Sequence, residues 1–141
     1  MADTGYNHAD SWTFVQDADP DDWDATPIGA GVTQTGTTVI SNDLKTGTII
    51  GVSAYENNTG DIDGDIIIHI LGDTDGTNYE EPGVAGNWQI AFTPVRNATV
   101  YKRIFVPGAE YDDFKVAIEN QSGQEVAMDV RYKQSSIPLA S

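Results

Sequence analysis

Between Thr99 and Lys133 the side chains alternate, and this limits the fold more than any other feature of the chain. In the run Phe114 to Glu119, Phe114, Val116 and Ile118 alternate with Lys115, Ala117 and Glu119. In the run Glu125 to Lys133, Val126, Met128, Val130 and Tyr132 alternate with Ala127, Asp129, Arg131 and Lys133. A period of two puts one set of side chains on a buried face and the other in water, as in a β-strand. The preceding run, Val100 to Val106, stops at Pro107-Gly108, where the chain loses a backbone donor and bends. Asn120-Gln121-Ser122-Gly123 separates the last two runs, and Gly123 can supply the positive φ of a hairpin turn. The three runs together read as an antiparallel meander.

Strand candidates continue upstream at regular spacing: Thr37 to Ser41, Thr46 to Glu56, Asp65 to Leu71 and Asn87 to Thr93. Breaks rich in Asn, Gly, Asp and Pro separate them, and no window has a helical period. With the apolar island Trp12-Thr13-Phe14-Val15 the count is about eight. The expected fold is all-β, an antiparallel β-sandwich that is jelly-roll-like. Ile66 to Leu71 is apolar on both faces apart from His69, so it should be a central strand or one whose outer face is covered.

Residues 1–35 read as an extended acidic N-terminal arm, and residues 36–141 as the sandwich domain. The segment Asp17-Ala18-Asp19-Pro20-Asp21-Asp22-Trp23-Asp24 cannot bury itself unaided. Trp12, Phe14 and Trp23 are costly to leave in water, so they should anchor the arm, either on its own domain or on a neighbour.

Charge narrows the function. With 22 acidic and 7 basic residues the net charge is −15, which repels phosphate backbones and anionic lipid. Nucleic-acid and membrane partners are therefore not expected. No apolar run reaches the roughly 18 residues of a membrane span. There is no cysteine, hence no disulfide and no thiolate ligand.

Candidate chemistry is sparse. His8 and His69 are far apart in sequence, so a zinc site is not expected. Asp61, Asp63 and Asp65 alternate in a loop and are weak calcium candidates, but the chain enters a strand where an EF-hand loop would need Gly. No nucleophile elbow or phosphate-cradling loop is present, so neither a catalytic residue nor a cofactor is expected. Tyr101, Arg103 and Phe105 would share one face of their strand. Most basic residues lie late, Arg131 among them, giving a local basic patch in an acidic protein. The patch serves either cross-strand pairing or contact with an acidic neighbour, including another copy.

The stretch Phe114 to Gly123 followed by Val126 to Tyr132, with the strand TGTIIGVSA from Thr46 to Ala54, resembles the small β-sandwich cement (decoration) proteins and head-fibre bases of tailed-bacteriophage capsids. That resemblance implies a jelly-roll-like fold, a homotrimer, and binding to the major capsid protein on the capsid exterior after synthesis in the host cytoplasm. The expected function is thus that of a structural virion protein and not an enzyme. The alternative is a carbohydrate-binding β-sandwich, with Trp88, Tyr79 or Tyr55 stacking on sugar rings and calcium in the Asp-rich loops.

Overall fold

Alternating side chains need a second layer to bury their apolar set, and in this chain two antiparallel sheets supply it to each other. The computed structural model describes residues 7–8, 12–15, 27–43, 45–56, 60–84, 86–108 and 110–136. The strands are β1 (Asn7–His8), β2 (Thr13–Phe14), β3 (Thr33–Thr35), β4 (Ile40–Ser41), β5 (Lys45–Glu56), β6 (Ile66–Gly72), β7 (Gln89–Phe92), β8 (Ala98–Pro107), β9 (Asp113–Asn120) and β10 (Ala127–Ser136). The first sheet has the order β1-β10-β5-β8, with β2 also on β10. The second has the order β3-β9-β6-β7, with β4 also on β9. The short pairs β1/β2 and β3/β4 each make one interrupted edge, leaving eight strands. The chain then visits the sheets in the order first, second, first, second, second, first, second, first, which is jelly-roll winding.

The run from Thr99 to Lys133 is therefore not a meander. Its strands β8, β9 and β10 fall where alternation places them, but no two of them pair. The breaks around Gly108 and Gly123 carry the chain across the sandwich instead of reversing it within a sheet. Gly123 does take a positive φ, of 83°. The second of these corners holds its shape through Asn120, which is fully buried. Its Nδ2 donates to the carbonyls of Ile28 (2.9 Å) and Gln124 (2.6 Å), and its Oδ1 accepts from the amide (3.0 Å) and hydroxyl (2.6 Å) of Ser122. All four hydrogen-bonding positions of the amide are used. Asn120→Ala should cost about 2–3 kcal/mol by orphaning these groups, read as a lower urea midpoint with an unchanged slope.

The core lies between the sheets. The first contributes Ile50, Val52, Ala54, Ile104, Val106, Met128 and Val130, and the second Ile40, Ile66, Ile68, Ile70, Phe92, Phe114, Val116 and Ile118. β6 is central in its sheet, as its apolar run predicts, and His69 and Leu71 on its other face are also buried. At one end Trp88, Tyr111 and Phe114 form a ladder, with ring centroids 5.5 and 6.4 Å apart. Burial, then the Glu80 and Glu110 carboxylates, push the Tyr111 hydroxyl above its ordinary value.

Several residues assigned above to an arm belong to the sandwich. Val15 is fully buried in the core, its amide donating to the Val130 carbonyl at 2.9 Å. Ile28 is equally buried and bridges Val126. β2 and β3 extend the two sheets, so these short segments finish sheet edges and shield them. Trp23 and the acidic run around it lie outside the described residues.

Candidate functional site

The outward residues of the β10-β5-β8 sheet form one continuous face. Register places Arg131, Gly51 and Arg103 side by side, with Asp129, Ser53 and Tyr101 in the next row and Lys133, Ile49 and Phe105 in the row beyond Gly51. The sandwich thus brings Tyr101, Arg103, Phe105 and Arg131 onto one surface. Trp12 joins them. It sits just before β2 and reaches over β10, so that a Cβ on Gly51 would come within 3.1 Å of its ring. The Lys133 ammonium lies 4.9 Å from the same ring centroid, a cation–π contact.

Two glycines shape this face. At Gly47 a Cβ would come 2.5 Å from the Phe105 ring and 2.6 Å from the Val106 carbonyl oxygen, so the far edge of the Phe105 ring lies against bare backbone. At Gly51 the missing side chain leaves the floor of a groove of about 600 Å³, lined by Trp12, Tyr101, Lys102, Arg103, Arg131 and Lys133 among others. Four of the seven basic residues of the chain line it, Arg103, Arg131 and Lys133 from the outer face and Lys102 from the sheet edge, where alternation turns its side chain to the inner side. Its one carboxylate among the described residues, Asp129, is held by Arg131 in a two-pronged pair, Nε to Oδ1 and Nη2 to Oδ2, each 2.8 Å. Lys102 and Arg103 have no ion-pair partner among the described residues.

The aromatics here are exposed: Tyr101 to 78 %, Phe105 to 53 %, Tyr55 to 40 % and Trp12 to 36 %. Large apolar groups clustered on one face, rather than scattered singly, mark a contact surface. Sequence reasoning found the four residues on β8 and β10 by period two. It held Lys102 and Lys133 only as members of the late basic patch, and it missed Gly47, Gly51 and the place of Trp12. The glycines carried a signal, since they alternate with buried Thr48, Ile50 and Val52 and so had to be on the outer face.

Apart from Phe14, the remaining candidates fall elsewhere. Phe14 pairs with Arg131 in β10, and nothing of its side chain is described. Asp61, Asp63 and Asp65 lie in the loop before β6. Asp65 Oδ1 accepts from the Thr93 hydroxyl at 2.6 Å, the Asp63 amide donates to the Ser122 carbonyl at 3.0 Å, and the Asp61 carbonyl accepts from Gln124 Nε2 at 3.1 Å. Among the described residues no three His, Cys, Asp or Glu side chains form a metal-holding group. His69 is buried, with Nε2 2.9 Å from Glu119 Oε1. Trp88 is packed against the core, and the Tyr79 ring has the Lys115 ammonium 4.7 Å from its centroid. Of the three aromatics considered for sugar stacking, only Tyr55 belongs to the exposed face.

No protein-family model and no curated protein matches the chain. One solved structure with a related shape is described as Bacillus endospore appendages that form a novel family of disulfide-linked pili. The two share 9 % identity with a TM-score of 0.45, over 98 % of this chain and 96 % of that one. Similarity at that level carries no inference about function.

Proposed function

We propose that this protein is a structural docking protein of a viral shell, a cement or decoration protein that binds the outside of a tailed-phage capsid and ties neighbouring major capsid protein subunits together. The observation that supports the reading is the exposed aromatic and cationic face of the β10-β5-β8 sheet. Tyr, Trp, Phe and Arg are the residues enriched in protein–protein contacts, and Tyr101, Trp12, Phe105 and Arg103 all stand on this one face. Self-association as a homotrimer belongs to the same proposal, as does location on the capsid exterior. Binding confined to the assembled shell would stabilise the shell by mass action.

The electrostatics make a distinctive demand. The face is locally basic and fits an acidic partner surface, while the whole molecule carries −15 and is repelled by it at a distance. Screening falls from a range of about 30 Å at 0.01 M salt to about 8 Å at 0.15 M. Co-sedimentation with purified capsids should therefore show attachment rates that rise over this interval and fall again toward molar salt. A rate that only falls with salt would contradict an acidic partner. Absence of co-sedimentation at every salt concentration would end the capsid reading.

A second reading, a carbohydrate-binding module, is favoured by the groove itself. Its volume lies within the roughly 300–1,000 Å³ of small-ligand sites, and Trp12 and Tyr101 offer rings on which a sugar can stack. Glycan-array binding without capsid attachment would select it.

A further inference from the structure

β8 ends the first sheet, and its second side meets no other strand among the described residues. The Gly108 amide donates to the Thr46 carbonyl at 2.9 Å, which fixes the phase of the ladder. In an antiparallel pair the residues bonded to the neighbour alternate with residues whose N–H and C=O point away. Val100, Lys102, Ile104 and Val106 thus spend their backbone groups on β5. The amides and carbonyls of Tyr101, Arg103 and Phe105 face the open side. These are the same three residues whose side chains stand on the exposed outer face.

Such an edge is a template for another strand, and natural sheets protect edges with charge. Here the charges are Arg103 on the outer side and Lys102 on the inner, both exposed and without a carboxylate partner among the described residues. They keep β8 from pairing with β8 of a second copy. A symmetric antiparallel pair centred on these residues would oppose like charges, between molecules that each carry −15. The same two cations invite a strand that carries carboxylates at two successive positions, one for each face, between apolar residues that meet Tyr101 and Phe105 outside and Val100 and Ile104 inside.

We propose that β8 recruits its partner by strand addition: an extended acidic segment of another protein pairs with the open side of Tyr101–Phe105 and sets consecutive Asp or Glu side chains against Lys102 and Arg103. Backbone hydrogen bonds then supply affinity and the two cations select the sequence. The inference rests on the docking reading above and names what its face would hold.

The probe is a blocked peptide, acetyl-Thr-Val-Glu-Glu-Val-Thr-amide, added to the full-length ¹⁵N-labelled protein, with the Lys-Lys version as control. The expected result is slowed hydrogen exchange and shifted resonances at the amides of Tyr101, Arg103 and Phe105, with Lys102 and Ile104 amides already protected in the free protein. Arg103→Glu should weaken binding at least about tenfold. Tyr101→Pro removes one outward N–H, leaves the β5 ladder intact, and should weaken it similarly, because proline is tolerated where an edge N–H faces solvent. Equal binding of both peptides, binding that leaves the three amides unprotected, or no binding at millimolar peptide would each overturn strand addition. If the peptide fails but substitutions on the outer face still abolish capsid attachment, strand addition alone falls. If the peptide binds as expected and those substitutions leave attachment intact, the docking reading falls instead.

Discussion

Replacing Tyr101 and Phe105 together by alanine is expected to reduce attachment to capsids by about 100-fold or more while the fold survives. Central aromatic contacts contribute roughly 2 kcal/mol or more each when truncated. Two such losses, discounted for coupling between neighbours on one strand, leave about 3 kcal/mol, and each 1.4 kcal/mol is a factor of about ten. Tyr101 should contribute nothing to stability, because most of its surface is in water. Phe105 covers Gly47, so its removal uncovers backbone and should cost about 1 kcal/mol. The measurement is a binding isotherm on purified capsids beside a thermal melt of the same protein. Tyr101→Phe separates ring from hydroxyl and should keep most of the affinity. Full occupancy by the double variant would remove this face from the mechanism.

The largest effect on stability is expected at Phe114, where Phe114→Ala should cost about 3–5 kcal/mol. The side chain is fully buried, the largest of those that are among the described residues, and it meets Tyr111 edge-on with centroids 6.4 Å apart. Its strand is held on both sides, by β4 at Ile40 and by β6 at Gly72. Neighbours fixed in two sheets cannot collapse into the void, which places the loss toward the upper end of the range. For a chain of this size that corresponds to a melting point lower by roughly 10–20 °C. Phe114→Leu refills most of the volume and should recover more than half of the loss. A drop of only a few degrees in the alanine variant would mean that the sheets close over the space.

Much of this architecture was legible in the residues, for a physical reason. Period two is a local property, so β5 through β10 appear in the sequence within two or three residues of their observed ends. Pairing is not local. Nothing in the Pro107-Gly108 or Asn120–Gly123 breaks says whether the chain turns back within a sheet or crosses to the other, and the meander reading chose the wrong one. Thr33–Thr35 was missed because Thr and Gln around glycines resemble a loop until β9 supplies a ladder. Val15 and Ile28 looked like parts of an arm because the acidic run between them dominates the composition. The site was half legible: alternation put Tyr101, Arg103 and Phe105 on one side of a strand and Arg131 late in the chain. Only the register Arg131–Gly51–Arg103 reveals that they are neighbours, and only packing places Trp12 over Gly51.

The position of β10 has a consequence for biosynthesis. It lies between β5 and the β1/β2 edge, and its Val130 pairs with Val52, made about eighty residues earlier. A nascent chain therefore holds Ile50 and Val52 with an open side until the ribosome has released the segment 127–136. Such distant pairings make folding slow. Premature termination before that segment would yield an aggregation substrate rather than a shortened domain, so synthesis of this protein should be all-or-none in its soluble yield.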